Sequence, residues 1–221
     1  MIKQWARIFR DQAESTIKNQ FNSAFWNISP GSDEPESVPN LISATPTTGT
    51  IGGLNRSGNP YLQNIAYTTA VADLGSEAGI AQLQRQKIRA SITANDQPDL
   101  FVMDENLYSG MVGYLSTLNR HRPNDMMGQL GFDTIKLGNA TLSYENTNVA
   151  SGLNSITDGY VYGINSKYMK FKLLKDGNFK WDDKFERVGQ TLNKALYFWS
   201  FCNLCTNLPK AHLVMTNVST T

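Results

Sequence analysis

The first twenty-six residues constrain the fold more than any other stretch of the chain. Trp5, Phe9, Ala13, Ile17, Phe21 and Phe25 recur every fourth residue, which keeps apolar groups on one slowly winding stripe of a backbone that turns once per 3.6 residues. Lys3, Arg7, Arg10, Asp11, Glu14 and Lys18 fall between them, and neither Pro nor Gly interrupts the run before Pro30. The pattern predicts a helix over residues 2–26 with one apolar and one charged face. At 1.5 Å per residue it would be about 35–40 Å long, against about 11–12 residues for the usual globular helix. An apolar edge of that length needs a partner surface to match, supplied either by the rest of the chain folded against a spine or by neighbouring subunits.

A chain of 221 residues buries roughly 70% of its unfolded surface and fits one large domain or two small ones. Only 18% of the residues are charged and 40% are hydrophobic, the balance being Asn, Ser, Thr, Gln and Gly. That polar, uncharged composition suits strands and turns better than a helical bundle. The net charge of +1 gives no strong overall attraction to phosphate, which disfavours a dedicated nucleic-acid binder. Two cysteines, Cys202 and Cys205, make no disulfide framework, and no apolar run approaches the ~20 residues of a membrane span. The amphipathic, partly acidic start does not read as a signal peptide, so the default compartment is cytoplasmic.

Ser29-Pro30-Gly31 ends the helix, and residues 32–40 (SDEPESVPN) read as a connector. In the following IGGLNRSGNPYLQN, Gly52, Gly53 and Gly58 with Asn59-Pro60 demand turns. Gly53 is followed by Leu54, Asn55 and Arg56 rather than by a Lys opening a helix, so the loop reads as structural and not as a phosphate cradle. Residues 74–92 read as a second helix. Asp99 to Met103 reads as a buried strand, Asp104 as an N-cap, and Leu107, Tyr108, Met111, Val112, Leu115 and Leu118 as one face of a further helix. From Phe132 the period becomes two. Gly138-Asn139 signals a hairpin between Ile135-Leu137 and Ala140-Tyr144, and strands follow at Tyr160-Ile164 and Tyr168-Leu174. The class is α+β, a sheet with two helices against it. The apolar run from Leu192 to Cys205 and the segment Ala211 to Met215, joined by Asn207-Leu208-Pro209-Lys210, read as a terminal hairpin of two long strands lying along the opening helix.

Chemistry-bearing residues are sparse. Cys202 and Cys205 form half of a zinc knuckle with His212 as a third ligand, but a closed site needs four, so the thiols read as buried and inert. Arg120, His121 and Arg122 read as a basic helix end that complements the dipole, with the two arginines also candidates for a subunit contact. Asp182 and Asp183 are adjacent and would point to opposite faces of a strand, which suits a solvated turn better than a shared proton or metal. No G-x-S-x-G, H-E-x-x-H or dinucleotide fingerprint is present. The expectation is no enzyme, with no catalytic, cofactor-binding or metal residues and no cofactor; the work is mechanical.

The order of elements carries more than any motif. A long amphipathic helix, then PTTGTIGGLNRSGNPYLQN (46–64), PDLFVMDENLYSGMVGYL (98–115), GFDTIKLGNATLSYE (131–145), GYVYGINSKYMKFKL (159–173) and NLCTNLPKAHLVM (203–215) resembles the major capsid proteins of tailed bacteriophages over nearly the whole chain. The resemblance implies the shell fold shared with herpesvirus capsid floors and encapsulins. Residues 1–40 would be the spine helix and connector of a peripheral domain, 41–185 an axial domain with a mixed sheet flanked by helices, and 186–221 terminal peripheral strands. It also implies a virion subunit that forms pentamers and hexamers of an icosahedral head around double-stranded DNA, assembled in the host cytoplasm. Partners would be the chain itself and components such as portal or scaffold, with only weak non-specific contact to DNA and no membrane. Family members carry an N-terminal arm and extended loop before the spine, whereas this sequence opens on the spine. Competing readings are an encapsulin-like compartment without packaged DNA, a glycan- or small-ligand-binding module using exposed Tyr and Asn between Tyr144 and Tyr162, and a hydrolase with Asp182 or His121 in a cleft.

Overall fold

The computed structural model describes residues 2–68, 73–92, 96–119, 135–146, 153–175 and 198–219, together with the short strand segments 180–181, 186–187 and 194–195. The chain opens with helix α1 (Ile2–Phe25), as the fourfold apolar spacing requires. Ala13, Ile17, Phe21 and Phe25 are half-buried, and Trp26, just past the helix, is buried. Among the described residues, the C-terminal end of the stripe meets an aromatic surface of its own chain. Phe21 and Phe25 stand edge-on to each other at 4.9 Å and against Phe171 at 5.9 and 5.6 Å, and Trp26 lies 5.7 Å from Tyr162.

The connector is less purely polar in structure than its sequence suggests. The Ser37 hydroxyl accepts from the Asn40 amide and caps a single helical turn, α2 (Val38–Leu41), and Val38, Leu41 and Ile42 are buried. Two short strands follow, β1 (Thr50–Ile51) and β2 (Leu54–Asn55). Their two-residue turn places Gly52 at φ 56° and Gly53 at φ 79°, the pair of left-handed residues a type I′ hairpin demands. Strand β3 (Ile65–Tyr67) leads to α3 (Glu77–Arg89). This helix is shorter than the expected 74–92 because Ser76 caps it, leaving Leu74 outside the helix but fully buried.

Strand β4 (Leu100–Asp104) passes straight into α4 (Glu105–Asn119). The junction is built as the sequence predicts: Asp104 Oδ1 accepts from the Leu107 amide at 2.8 Å. Its other oxygen accepts from the Gly159 amide at 2.7 Å, tying the helix start to the turn before β7. Strands β5 (Ile135–Leu137) and β6 (Ala140–Glu145) form the expected hairpin across Gly138, at φ 65°. Strand β7 (Val161–Ile164) enters the middle of the sheet.

Strand β8 (Met169–Leu173) leaves that sheet and starts a long antiparallel ribbon. The chain runs out through β8, β9 (Lys180–Trp181) and β10 (Glu186–Arg187), then returns through β11 (Lys194–Ala195), β12 (Phe198–Trp199) and β13 (Cys202–Thr206). Three pairings hold it: β10 with β11, β9 with β12, and β8 with β13. This corrects the expectation of a terminal hairpin. The last strand, β14 (Leu213–Met215), does not pair with β13. The helical turn Pro209–Ala211 carries the chain back into the six-stranded sheet, where β14 lies parallel to β3 and antiparallel to β7.

The sheet order is β3-β14-β7-β4-β6-β5. Its two parallel contacts, β3 with β14 and β4 with β6, make it mixed. One face, with Phe101, Met103, Leu142, Val161, Leu213 and Met215, packs against Leu83 of α3 and Leu107 and Met111 of α4. The other, with Val102, Tyr162, Ile164 and Val214, packs against Trp26, Val38, Leu41, Ile42 and Leu204. Central strands covered on both sides are continuously apolar, as β4 and β14 are. Each fully buried Leu, Phe or Met contributes about 1.5–3 kcal/mol.

Candidate assembly surface

The spine, the connector and the root of the ribbon converge on one side of the sheet. An open groove of ≈ 450 Å³ lies there, lined by Ile17, Gln20, Phe21, Ser23, Ala24, Glu34, Leu153 and Asn154. The Ser23 hydroxyl accepts from the Asn154 amide at 2.6 Å, and Asn22 donates to Glu145 at 2.6 Å. Beside the groove the apolar surface continues into the ribbon. Phe171 is 42% exposed, Leu173 41%, Leu174 58% and Phe201 60%. A stretch of this kind on a single chain fits contact with another macromolecule.

A polar cluster fixes where the ribbon leaves the sheet. Asp96 accepts from the Tyr168 hydroxyl, from Asn165 Nδ2 at 3.1 Å and from Lys167 Nζ at 3.2 Å. The Tyr168 hydrogen bond, followed by that of Asn165, holds the Asp96 carboxyl below its ordinary range, while Asp96 raises Lys167. Asp99 accepts from the amide and hydroxyl of Ser166. The turn between β7 and β8 is therefore pinned to the segment before β4, which aims the ribbon.

His212 sits fully buried beneath this turn. Its Nδ1 accepts from the Asn165 amide at 3.1 Å, and its Nε2 is 2.9 Å from the Thr206 hydroxyl. With Nδ1 accepting, the neutral ring carries its proton on Nε2 and donates to Thr206. Burial lowers its pKa to about 4, against a smaller opposing pull from Asp99.

Arg56 is a second buried polar anchor. It is 1% exposed and donates to the carbonyls of Asn40 and Leu41 and to Asn64 Oδ1. Burial works against its charge, and Glu36 partly restores it. The guanidinium thus clamps the end of the connector to the glycine-rich hairpin, which gives that loop a structural role.

Of the residues singled out from sequence, Cys202 and Cys205 are free and half-buried on β13, more open than the buried thiols expected. Burial raises the Cys202 thiol. Their spacing of three puts them on opposite faces of the strand, and both nitrogens of His212 are engaged, so the three do not converge as ligands. Among the described residues no cluster of three His, Cys, Asp or Glu is placed to hold a metal. Arg120, His121, Arg122, Asp182 and Asp183 lie outside the described residues. Of the tyrosines named for a glycan module, Tyr144 is 43% exposed and Tyr162 is buried, and residues 147–152 between them lie outside the described residues. Tyr144 packs on Tyr108 at 5.1 Å on the helical face of the sheet. Tyr162 is 2% exposed on the opposite face, between Trp26 and Tyr160, where burial and the neighbouring Tyr160 push its pKa up.

Sequence reasoning missed Arg56, Asp96, Asp99 and Tyr168. Their partners lie up to 72 residues away, and no local spacing marks them.

No protein-family model matches the chain, and no curated protein sequence does. Solved structures do match. A subunit of the cyanophage A-1(L) capsid asymmetric unit superposes with a TM-score of 0.61 at 10% identity, covering 99% of this chain and 69% of that one. The capsid of the Myoviridae phage XM1 gives a TM-score of 0.50 at 13% identity, covering 96% of this chain and 64% of that one. The chain thus spans about two thirds of the capsid chains it matches. This likeness over nearly the whole chain shows the shell fold of tailed-phage major capsid proteins, built here on the long opening helix, the mixed sheet and the ribbon rooted beside the spine.

Proposed function

We propose that this chain is a major capsid subunit whose work is self-association. It assembles into pentameric and hexameric capsomers of an icosahedral phage head around double-stranded DNA. Portal and scaffold proteins are its other virion partners, and assembly takes place in the host cytoplasm. One observation supports the reading beyond fold likeness: apolar side chains at the ribbon root face solvent in the single chain, with Leu174 58%, Phe171 42% and Leu173 41% exposed. In a shell, neighbouring copies bury such a surface, and stability comes from area and shape rather than from a reactive centre. No chemical step is assigned to the chain. The net charge of +1 suits a wall that encloses DNA with weak, non-specific contact.

Sedimentation velocity over a hundredfold concentration range tests this. The account expects species of five or six subunits and larger to grow with concentration. Nuclease-protected DNA in particles purified from phage-producing cells supports a phage head. DNA-free particles from those cells would favour an encapsulin-like compartment instead, and a strict monomer at every concentration would refute the proposal.

A further inference from the structure

Both arms of the ribbon are fastened to the sheet through one buried side chain. His212 immediately precedes β14 and is fully buried. Its Nδ1 accepts at 3.1 Å from the amide of Asn165, in the turn where the chain leaves for β8. Across the ring, Nε2 lies 2.9 Å from the hydroxyl of Thr206, the last residue of β13. That hydroxyl also accepts from the Leu208 amide at 3.3 Å. One imidazole therefore bridges the outgoing arm, the returning arm and the strand that anchors both in the sheet.

The two contacts respond differently to a proton. Nε2 carries hydrogen in the neutral and in the charged ring, so the bond to Thr206 survives protonation. Nδ1 accepts only while the ring is neutral. A proton there sets two N–H groups against each other and leaves the buried Asn165 amide without its acceptor, a costly state. The other polar ties at the root, of Tyr168, Asn165 and Lys167 to Asp96 and of Ser166 to Asp99, hold the outgoing arm.

The elements packed around the ring bring few titratable groups. The segment before β4 carries Asp96 and Asp99, the turn between β7 and β8 Lys167 and Tyr168, β13 Cys205, and the helical turn after it Lys210. β7 adds the buried Tyr162, and β3 adds Tyr67, in register with Met215 on the opposite face of the sheet. Burial opposes the charged ring and Asp99, by a smaller pull, favours it, leaving the pKa at about 4. The Tyr168 and Asn165 bonds hold Asp96 below its ordinary range, so it titrates after the histidine. A histidine with a lowered pKa gives its contact in full at neutral pH and loses it as pH falls.

We propose that His212 is an acid-sensitive latch: neutral, it fastens both arms of the ribbon to β14, and protonated, it gives up the Asn165 amide and frees the ribbon root to move against a sheet that stays folded. The latch lies within one chain, so it stands whether or not that chain assembles.

Hydrogen exchange of the full chain, followed from neutral pH to about pH 4 and corrected for the intrinsic effect of pH, tests it. Protection at the Asn165 and Leu208 amides falls roughly tenfold, while that of β4, β6 and β7 holds. His212→Asn, whose Oδ1 accepts from Asn165 whatever the pH, loses the response. Asp99→Asn, which removes the charge that favours the protonated ring and keeps an acceptor for the Ser166 amide, shifts the response to lower pH and covers the case in which His212→Asn does not fold. Protection at Asn165 that stays flat down to about pH 4 overturns the latch. So does an equal, simultaneous loss in ribbon and sheet, the mark of ordinary acid unfolding. An unaltered response in either variant assigns the effect to other groups and overturns it as well.

Discussion

Two glycines in helices allow a paired prediction whose members have opposite signs. Gly79 is the third residue of α3 and Gly113 lies inside α4. Replacing glycine by alanine in a helix interior gains about 0.5–1 kcal/mol from backbone entropy alone. At Gly113 an added Cβ meets nothing within 4 Å, so Gly113→Ala keeps that gain. At Gly79 the same atom falls 1.9 Å from the Asp73 carbonyl oxygen and 2.4 Å from its carbon, a collision with backbone that no side-chain rotation relieves. The Asp73 carbonyl accepts from both the amide and the hydroxyl of Ser76, and that hydroxyl accepts from the Gly79 amide. Relief of the clash therefore opens the turn that caps α3 and shifts Leu74, which is fully buried. Overpacking costs about 1–3 kcal/mol and a lost cap about 1 kcal/mol, so Gly79→Ala nets about 2–3 kcal/mol of destabilisation. For a chain of this size 1 kcal/mol moves Tm by about 2–4 °C. Thermal and urea unfolding should show Gly113→Ala raised by about 2 °C and Gly79→Ala lowered by about 5–10 °C. Equal shifts of the same sign would refute the packing described around α3.

Three further outcomes follow from individual side chains. His212 is buried neutral with its pKa lowered from 6.5 to about 4. Its contribution is full above pH 6.5 and is lost as pH falls towards 4, about 3 kcal/mol in all. Urea unfolding at stepped pH should show that slope in the wild type and a flatter one in His212→Asn, and parallel slopes would count against it; Asp96, held below its ordinary range, gives up its share only below about pH 4. Asp104→Ala leaves the amides of Leu107 and Gly159 without their acceptor and should cost about 2–4 kcal/mol, with faster hydrogen exchange at both amides; exchange unchanged at Gly159 would sink the tie between α4 and β7. Trp26→Ala removes the buried ring that joins the spine to Tyr162 and should cost about 3–5 kcal/mol in urea unfolding, whereas a loss below 1 kcal/mol would mean that the spine is held elsewhere.

What the sequence revealed was local. Asp104 three residues before Leu107, the Gly138-Asn139 pair between alternating runs and the fourfold stripe of α1 each carry their geometry within a few residues. Non-local pairing left no such mark. Leu192 to Cys205 reads as apolar whatever strand it faces, so nothing in it says that Cys202–Thr206 pairs with Met169–Leu173 rather than with Leu213–Met215. Insertion of β14 beside β3, with Leu213 opposite Ile65, joins segments about two thirds of the chain apart. Tyr162 reads as an exposed ring until Trp26 is placed over it. The need for a partner surface was visible in outline, because a stripe as long as α1 had to meet something.

Negative-stain electron microscopy of the full chain, taken from the concentrated end of a sizing column, tests the central claim most directly. The account predicts rings of five or six subunits, or closed shells, that come apart as the sample is diluted. A field of uniform particles of single-subunit size at every concentration would contradict it.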